Sequence, residues 1–131
     1  MPRILIADDS ADVRRSLRSL IECRGDWEVC GEAVDGAEAV IRAKELHPDL
    51  IVLDFSMPVM DGIHAAREIG KIAPDVPILL YTAHLSIWLI AEAQKAGIEG
   101  AVSKIQTRAL VEAIGKVEHE AGNALDGVLR A

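Results

Sequence analysis

Aromatic side chains are scarce in this chain: two Trp, one Tyr and one Phe among 131 residues. Any core must therefore be built from Ile, Leu, Val and Ala. Half of the residues are apolar, enough to fill one compact domain. Cysteine is equally rare. Cys23 and Cys30 cannot make a disulfide framework or, by themselves, a zinc site, and they read as reduced, buried small hydrophobes of a cytoplasmic protein. Positive charge is in deficit, with 14 Lys and Arg against 21 Asp and Glu and a net charge of −7. That balance argues against direct nucleic-acid binding, which needs a basic face to displace counterions, and suits a protein that binds a cation. No apolar run approaches the roughly 20 residues of a membrane span. The chain reaches Asp8 and Asp9 too early for a signal peptide. Repeats, low-complexity segments and Pro/Gly-rich linkers are also missing.

What is there alternates. Short apolar runs are followed by longer stretches of helical period. Arg3 to Ala7 reads as a strand, and Val13, Leu17, Leu20 and Ile21 then mark a helix from Ser10 or Ala11 to about Arg24, stopped by Gly25. Trp27 to Val34 reads as a second strand, and Asp35 caps a helix that runs to Leu46 before His47-Pro48. Leu50 to Leu53 is continuously apolar, as expected of a strand buried on both faces. A loop from Phe55 to Gly62 leads to a helix over Ile63 to Ala73 with Asp61 as its cap. Pro77 to Tyr81, Leu85 to Ala96 and Gly100 to Ser103 follow as strand, helix and strand. Thr107 then caps a last helix carrying Leu110, Val111, Ile114 and Val117. Five βα units imply a parallel sheet with helices on both faces.

The polar residues are concentrated where such a sheet holds its ligands. Asp8 and Asp9 end the first strand, Asp54 the third, Thr82 the fourth and Lys104 the fifth. All carboxyl ends of a parallel sheet lie on one edge, so these five side chains converge. In a sheet of order 2-1-3-4-5 the first and third strands are neighbours, about 4.8 Å apart. Three carboxylates that close repel one another, and either a proton or a cation must relieve them. With only oxygen ligands at the edge, the ion is a hard one, and Mg²⁺ fits best. Lys104 adds a mobile point charge for phosphate, Thr82 a hydroxyl, and a carboxylate such as Asp54 is a competent nucleophile toward phosphorus. Asp35-Gly36 and Asp61-Gly62 read as turn and capping chemistry. His47, His64, His84 and His119 are scattered, as surface residues are, with His84 near enough to Thr82 to shape access to Asp54.

From Arg3 to about His119 these residues, in this order, resemble the receiver domains of two-component response regulators. Ile6-Ala7-Asp8-Asp9-Ser10 looks like the family's acidic pair, and Leu53-Asp54-Phe55-Ser56-Met57-Pro58-Val59-Met60-Asp61-Gly62 like its phosphorylation loop. Thr82-Ala83 and Gly100 to Lys104 complete the set. The resemblance implies a flavodoxin-like, doubly wound α/β fold of five parallel strands in the order 2-1-3-4-5. It implies a receiver over residues 1–121, with 122–131 as a tail or the start of a linker. It further implies that Asp54 accepts a phosphoryl group from a phosphohistidine on a sensor histidine kinase or phosphotransfer protein. Mg²⁺ would be held by Asp9, Asp54 and the backbone carbonyl of Ser56, with Asp8 assisting through water. Lys104 would pair with Asp54 before phosphorylation and with the phosphoryl group after it. Thr82 would swing its hydroxyl inward, a local charge change driving a two-state switch. Such a module is not an enzyme beyond catalysing its own phosphorylation and dephosphorylation.

The chain departs from the family pattern in three places. Ala101 stands where receivers often carry a rotating Tyr or Phe, and Ile105 where they often carry Pro. Ile87-Trp88-Leu89-Ile90 is too continuous for one buried stripe, so at least one or two of these face outward. With Ala101 and Ile105 they would form an apolar partner patch on helix 4, strand 5 and helix 5, a face suited to output or a homodimer, with Trp88 and Ile90 in it. Two rivals remain open. One is a phosphorylation-independent interaction module. The other is a small Mg²⁺-dependent phosphatase working through an aspartyl phosphate, which needs Asp-x-Asp where this chain has adjacent acids. A flavodoxin-like electron carrier is disfavoured because Asp8-Asp9 would repel its phosphate. About 12 residues follow the last clear helix, too few for a DNA-binding output domain of order 60 residues. The stretch from Trp27 through Ala43 looks like receivers that precede LuxR-type DNA-binding domains, so the sequence fits either a stand-alone receiver or one cut from a longer regulator.

Overall fold

In the computed structural model the backbone of residues 1–130 and the side chains of residues 1–120 are described. Ten elements alternate: β1 (Arg3–Ala7), α1 (Ala11–Glu22), β2 (Glu28–Ala33), α2 (Gly36–Leu46), β3 (Leu50–Leu53), α3 (Gly62–Ile72), β4 (Ile78–Thr82), α4 (Ile87–Lys95), β5 (Gly100–Ser103) and α5 (Thr107–Arg130). The expected boundary after residue 121 falls outside the described side chains, while the α5 backbone continues through it. No described helix is long and apolar enough to cross a membrane.

The five strands form one parallel sheet in the order β2-β1-β3-β4-β5. Alternation along the strands divides the core into two layers. Leu5, Ala7, Ile51, Leu53, Ile78 and Leu80 face α2, α3 and α4. Ile4, Ile6, Leu50, Val52, Leu79 and Tyr81 face the other way, toward Leu17 and Ile21 of α1 and Leu110 and Ile114 of α5. Successive residues of β1, β3 and β4 are thus buried on opposite faces, which is why Leu50–Leu53 can be apolar at every position.

Local chemistry fixes the element ends. The side chains of Ser10, Asp35, Asp61 and Ser86 accept from the amides of Val13, Glu38, His64 and Leu89, each an N-cap. Thr107 is not a cap as expected. It is the first residue of α5, and its hydroxyl lies 3.4 Å from that of Tyr81. Helix α2 ends on His47 in the left-handed conformation, φ 48°. Arg3 compensates by donating Nη1 to the free carbonyls of Leu46 and His47 at 2.6 and 3.3 Å. Cys23 is exposed, a correction to its expected burial, because α1 ends on its solvent side. Cys30 is half-buried.

Two glycines let the loop after β3 pack closely. A Cβ on Gly36 would collide with the carbonyl oxygen of Met60, and one on Gly62 with the carbonyl oxygen of Asp54. Gly70, on the exposed side of α3, has nothing near it. Opposite effects of one substitution follow. Gly36→Ala should lower the unfolding free energy by about 1–3 kcal/mol through overpacking. Gly70→Ala should raise it by about 0.5–1 kcal/mol through helix propensity. Urea unfolding of the two variants checks both signs.

Candidate functional site

The register of the sheet assembles the site. Ala7 pairs with Leu53 and Leu53 with Leu80, so Asp8 and Asp54 leave adjacent strands at the same level. Thr82 pairs with Ser103, which sets Lys104 one residue past the end of β5. The ladder continues just beyond the strands. The amide of Asp8 donates to Ala33 (3.0 Å), that of Asp54 to Ala7 (2.9 Å) and that of Lys104 to Thr82 (2.9 Å). Each acid or base is thus held by the backbone hydrogen bond that precedes its side chain.

Asp8, Asp54 and Thr82 are the buried polar side chains among the described residues, with Asp8 1% and Asp54 4% exposed. Asp9 is exposed at the mouth. One carboxylate oxygen from each of Asp8, Asp9 and Asp54 lies within 4.8 Å of the others. Lys104 Nζ sits 2.7 Å from Asp8 Oδ2 and 3.4 Å from Asp54 Oδ2. The expected pairing of Lys104 with Asp54 is therefore present, but the shorter contact is to Asp8. Asp8 Oδ1 accepts from the amide of Ser10 at 2.9 Å. Thr82 Oγ1 accepts a long bond of 3.5 Å from the amide of His84, and His84, like the other three histidines, is exposed.

Burial, then the charge of Asp8, push the carboxyl of Asp54 up to about 6, against the counter-pull of Lys104 and the Ser56 amide. Burial draws Lys104 down, but its bond to Asp8 and the charges of Asp54 and Asp8 outweigh that and leave it raised. Asp8 Oδ2 tests whether a cation belongs here. It is buried and close to the ammonium, yet no donor makes a well-angled hydrogen bond to it. Three carboxylates face one ammonium, so negative charge and an under-satisfied acceptor remain for a hard cation with oxygen ligands. Mg²⁺ fits this donor set.

Residues 4–115 match the family described as the response regulator receiver domain. The chain belongs to that family. It is 43% identical over 116 residues to the chemotaxis protein CheY of Thermotoga maritima, covering 88% of this chain and 96% of that one. It is 37% identical over 124 residues to a protein-glutamate methylesterase/protein-glutamine glutaminase of Methanosarcina mazei, but covers only 33% of that longer protein. A LuxR-family two-component response regulator from an Aurantimonas species superposes with a TM-score of 0.85 at 36% identity, covering 89% of this chain and 84% of that one. The doubly wound receiver fold with strand order 2-1-3-4-5 is therefore that of a two-component signalling module.

Sequence reasoning gathered Asp8, Asp9, Asp54, Thr82 and Lys104 at one edge, and the structure brings them there. It missed Val59, which adopts φ 70° in the loop after Asp54. A β-branched residue gives no signal of a left-handed conformation, so nothing in the pattern marked it. It also missed Arg14, whose Nη1 donates to the carbonyl of Asp8 at 2.7 Å. Nothing in the helical period of Val13, Leu17, Leu20 and Ile21 pointed to Arg14.

The raised carboxyl of Asp54 has a pH signature. The folded protein holds that proton up to about pH 6, whereas a free aspartate releases it near 3.8. Ionised Asp54 therefore opposes folding, with no effect below about pH 4, growing through pH 6 and constant above. Without divalent cation, Asp54→Asn should stabilise the domain at pH 7.5 by about 1–3 kcal/mol. The advantage should vanish below pH 4. Thermal unfolding of both proteins across that range measures it.

Proposed function

We propose that this receiver accepts a phosphoryl group from a phosphohistidine of a sensor histidine kinase or phosphotransfer protein onto Asp54, with Mg²⁺, and so switches an output face formed by α4, β5 and α5. The observation that carries this reading is the buried Asp54 carboxylate lying beside Lys104 Nζ inside a three-carboxylate cluster. Asp54 is the nucleophile: its oxygen bonds to phosphorus as the bond to the imidazole nitrogen breaks. Asp8, Asp9, Asp54 and the carbonyl of Ser56 are the groups to hold Mg²⁺. When bound, the ion supplies neutralisation of the transferring oxygens and of the carboxylates. Lys104 moves its charge from the acids to the phosphoryl group, and Thr82 gives it a hydroxyl donor. The module works in a cytoplasmic phosphorelay and turns over no other substrate.

The output reading rests on exposure. Ile87, Trp88 and Ile105 are 88%, 63% and 86% exposed, and Ile90 joins them, while Leu89 alone of the four-residue run is buried. That three of the four positions face outward agrees with the expectation that at least one or two must, since α4 begins only at Ile87 and presents its first turn to solvent. Ile87, Ile90 and Ile105 line one groove between α4 and the loop after β5, which suits a homodimer or an output partner. Trp88 is a correction to the expected patch: it faces α3 instead, beside Phe55, His64 and Arg67, because it lies one helical turn before Glu92, which pairs with Arg67. A second reading draws support from Ala101. Without a ring at that position, the same face serves a phosphorylation-independent interaction module, whose binding would be indifferent to Asp54.

Acetyl phosphate with Mg²⁺ should give a phosphorylated protein that is stable in acid and labile in base. Asp54→Ala or removal of divalent cation by EDTA should abolish the adduct. Lys104→Ala should slow its formation by on the order of a hundredfold. Intact-mass spectrometry reads all three, and an adduct that persists in Asp54→Ala would overturn the assignment.

A further inference from the structure

Asp8 and Asp9 share a peptide unit whose carbonyl lies one residue beyond the end of β1. The orientation of that unit governs where both carboxylates point. Its oxygen accepts from Arg14 Nη1 at 2.7 Å. Arg14 comes from the first turn of α1, and its side chain is only 15% exposed.

Arg14 is itself held. Its Nε donates to Glu32 Oε1 at 3.0 Å. The other oxygen of Glu32 accepts from Nε and Nη2 of Arg18 at 3.0 and 2.8 Å. Glu32 stands on β2 and pairs in register with Ile6 of β1. A closed circuit thus runs from β1 through Arg14 to Glu32 on β2 and back through the sheet. A guanidinium is suited to this because its planar fork serves two acceptors at once. Arg18 fixes Glu32 from the second side, so the carboxylate cannot turn away from Arg14.

We infer that Arg14 is a positioning residue for the divalent-ion site, orienting the Asp8–Asp9 peptide, and that Glu32 holds Arg14 in place. This rests on the reading of the site as one that binds Mg²⁺. Arg14 touches neither the ion nor the phosphoryl group. It acts through the peptide that carries two ligands, as groups behind metal ligands do when they set ligand orientation, typically at a cost of about 10–100-fold in affinity when removed. The circuit is made wholly of the protein's own groups and touches no ligand oxygen, so the effect is on preorganisation and not on the chemical step.

Mg²⁺ titration by calorimetry tests it on the full chain. Arg14→Gln should weaken Mg²⁺ binding about tenfold, and phosphorylation by acetyl phosphate at saturating Mg²⁺ should proceed near the wild-type rate. Arg14→Lys, which keeps the charge but cannot fork to both acceptors, should bind almost as weakly. Glu32→Gln should weaken binding less. In the absence of metal, the amides of Asp8 and Ser10, which donate to Ala33 and to Asp8 Oδ1, should exchange faster in Arg14→Gln than in wild type while amides in β3 and β4 do not, a local change that a general loss of stability would not give. Equal Mg²⁺ affinity in wild type and Arg14→Gln overturns the inference and leaves the phosphoacceptor reading standing. A wild-type protein that binds no Mg²⁺ overturns both. If Arg14→Gln does not fold, Glu32→Gln carries the test, and an affinity equal to wild type there overturns it as well.

Discussion

The repulsion among Asp8, Asp9 and Asp54 is the constraint around which the carboxyl edge of this sheet is built. Like charges this close, two of them nearly out of water, raise each other's free energy in the ionised form. Nothing in the packing of the core requires them there. The fold tolerates the cluster by spending other groups on it. Lys104 divides its charge between two acids, the Ser10 amide takes one oxygen of Asp8, and the Ser56 amide faces Asp54. These partners are incomplete, as the raised carboxyl of Asp54 and the poorly satisfied Asp8 Oδ2 indicate. An acidic site left short of positive charge is a site with room for a cation and for the negative oxygens that a cation brings.

Much of this was legible in the chain because it follows from period and position. Leu50–Leu53 is apolar throughout because both faces of its strand are covered, and Asp54 stands out as the residue where that run stops. Asp35 and Asp61 announce their helices through capping chemistry, and both serve as caps. The details that escaped depend on side chains from distant segments meeting in space. Whether Lys104 lies nearer Asp8 or Asp54 is a matter of tenths of an ångström at the end of a flexible stem. The left-handed backbone of His47 and Val59 is imposed by neighbours: Arg3 caps the end of α2 near His47, while Val59 sits in a loop pinned by Gly36 and Gly62. Thr107 resembled a cap by type, yet the helix begins on it and its hydroxyl turns to Tyr81. Local propensity cannot anticipate such choices, since each is decided by a tertiary contact.

The same strand ends connect the site to the exposed apolar face. Lys104 is held by its amide to Thr82, and the next residue, Ile105, is one of the exposed side chains of the patch. Ser86, which caps α4, lies four residues beyond Thr82, and Ile87, which shares a groove with Ile105, follows at once. On the proposed function, a change in the charge at Asp54 would act on Lys104 and Thr82, and both are within a few residues of the surface that would report it. No long relay is needed: the loops after β4 and β5 carry the site residues at one end and the apolar patch at the other. Such a short connection is what lets a local electrostatic event bias a surface.

Ala101 removes the ring that many receivers use, and the neighbouring strand offers a different mechanical link. Tyr81 points away from Thr82, as successive strand residues must, into the layer beneath α1 and α5. There its hydroxyl stands 3.5 Å from the carbonyl of Lys104 and 3.4 Å from the hydroxyl of Thr107. Both distances are long for O–H···O bonds, so each contact is weak and inexpensive to break. A strongly bonded tyrosine would anchor the loop after β5, and a missing one would leave it without a reference. The observed arrangement lies between: a buried ring whose hydroxyl stands close to the Lys104 carbonyl without binding it tightly. On the proposed function, the Tyr81 hydroxyl would therefore offer little resistance to a shift of the loop that carries Lys104.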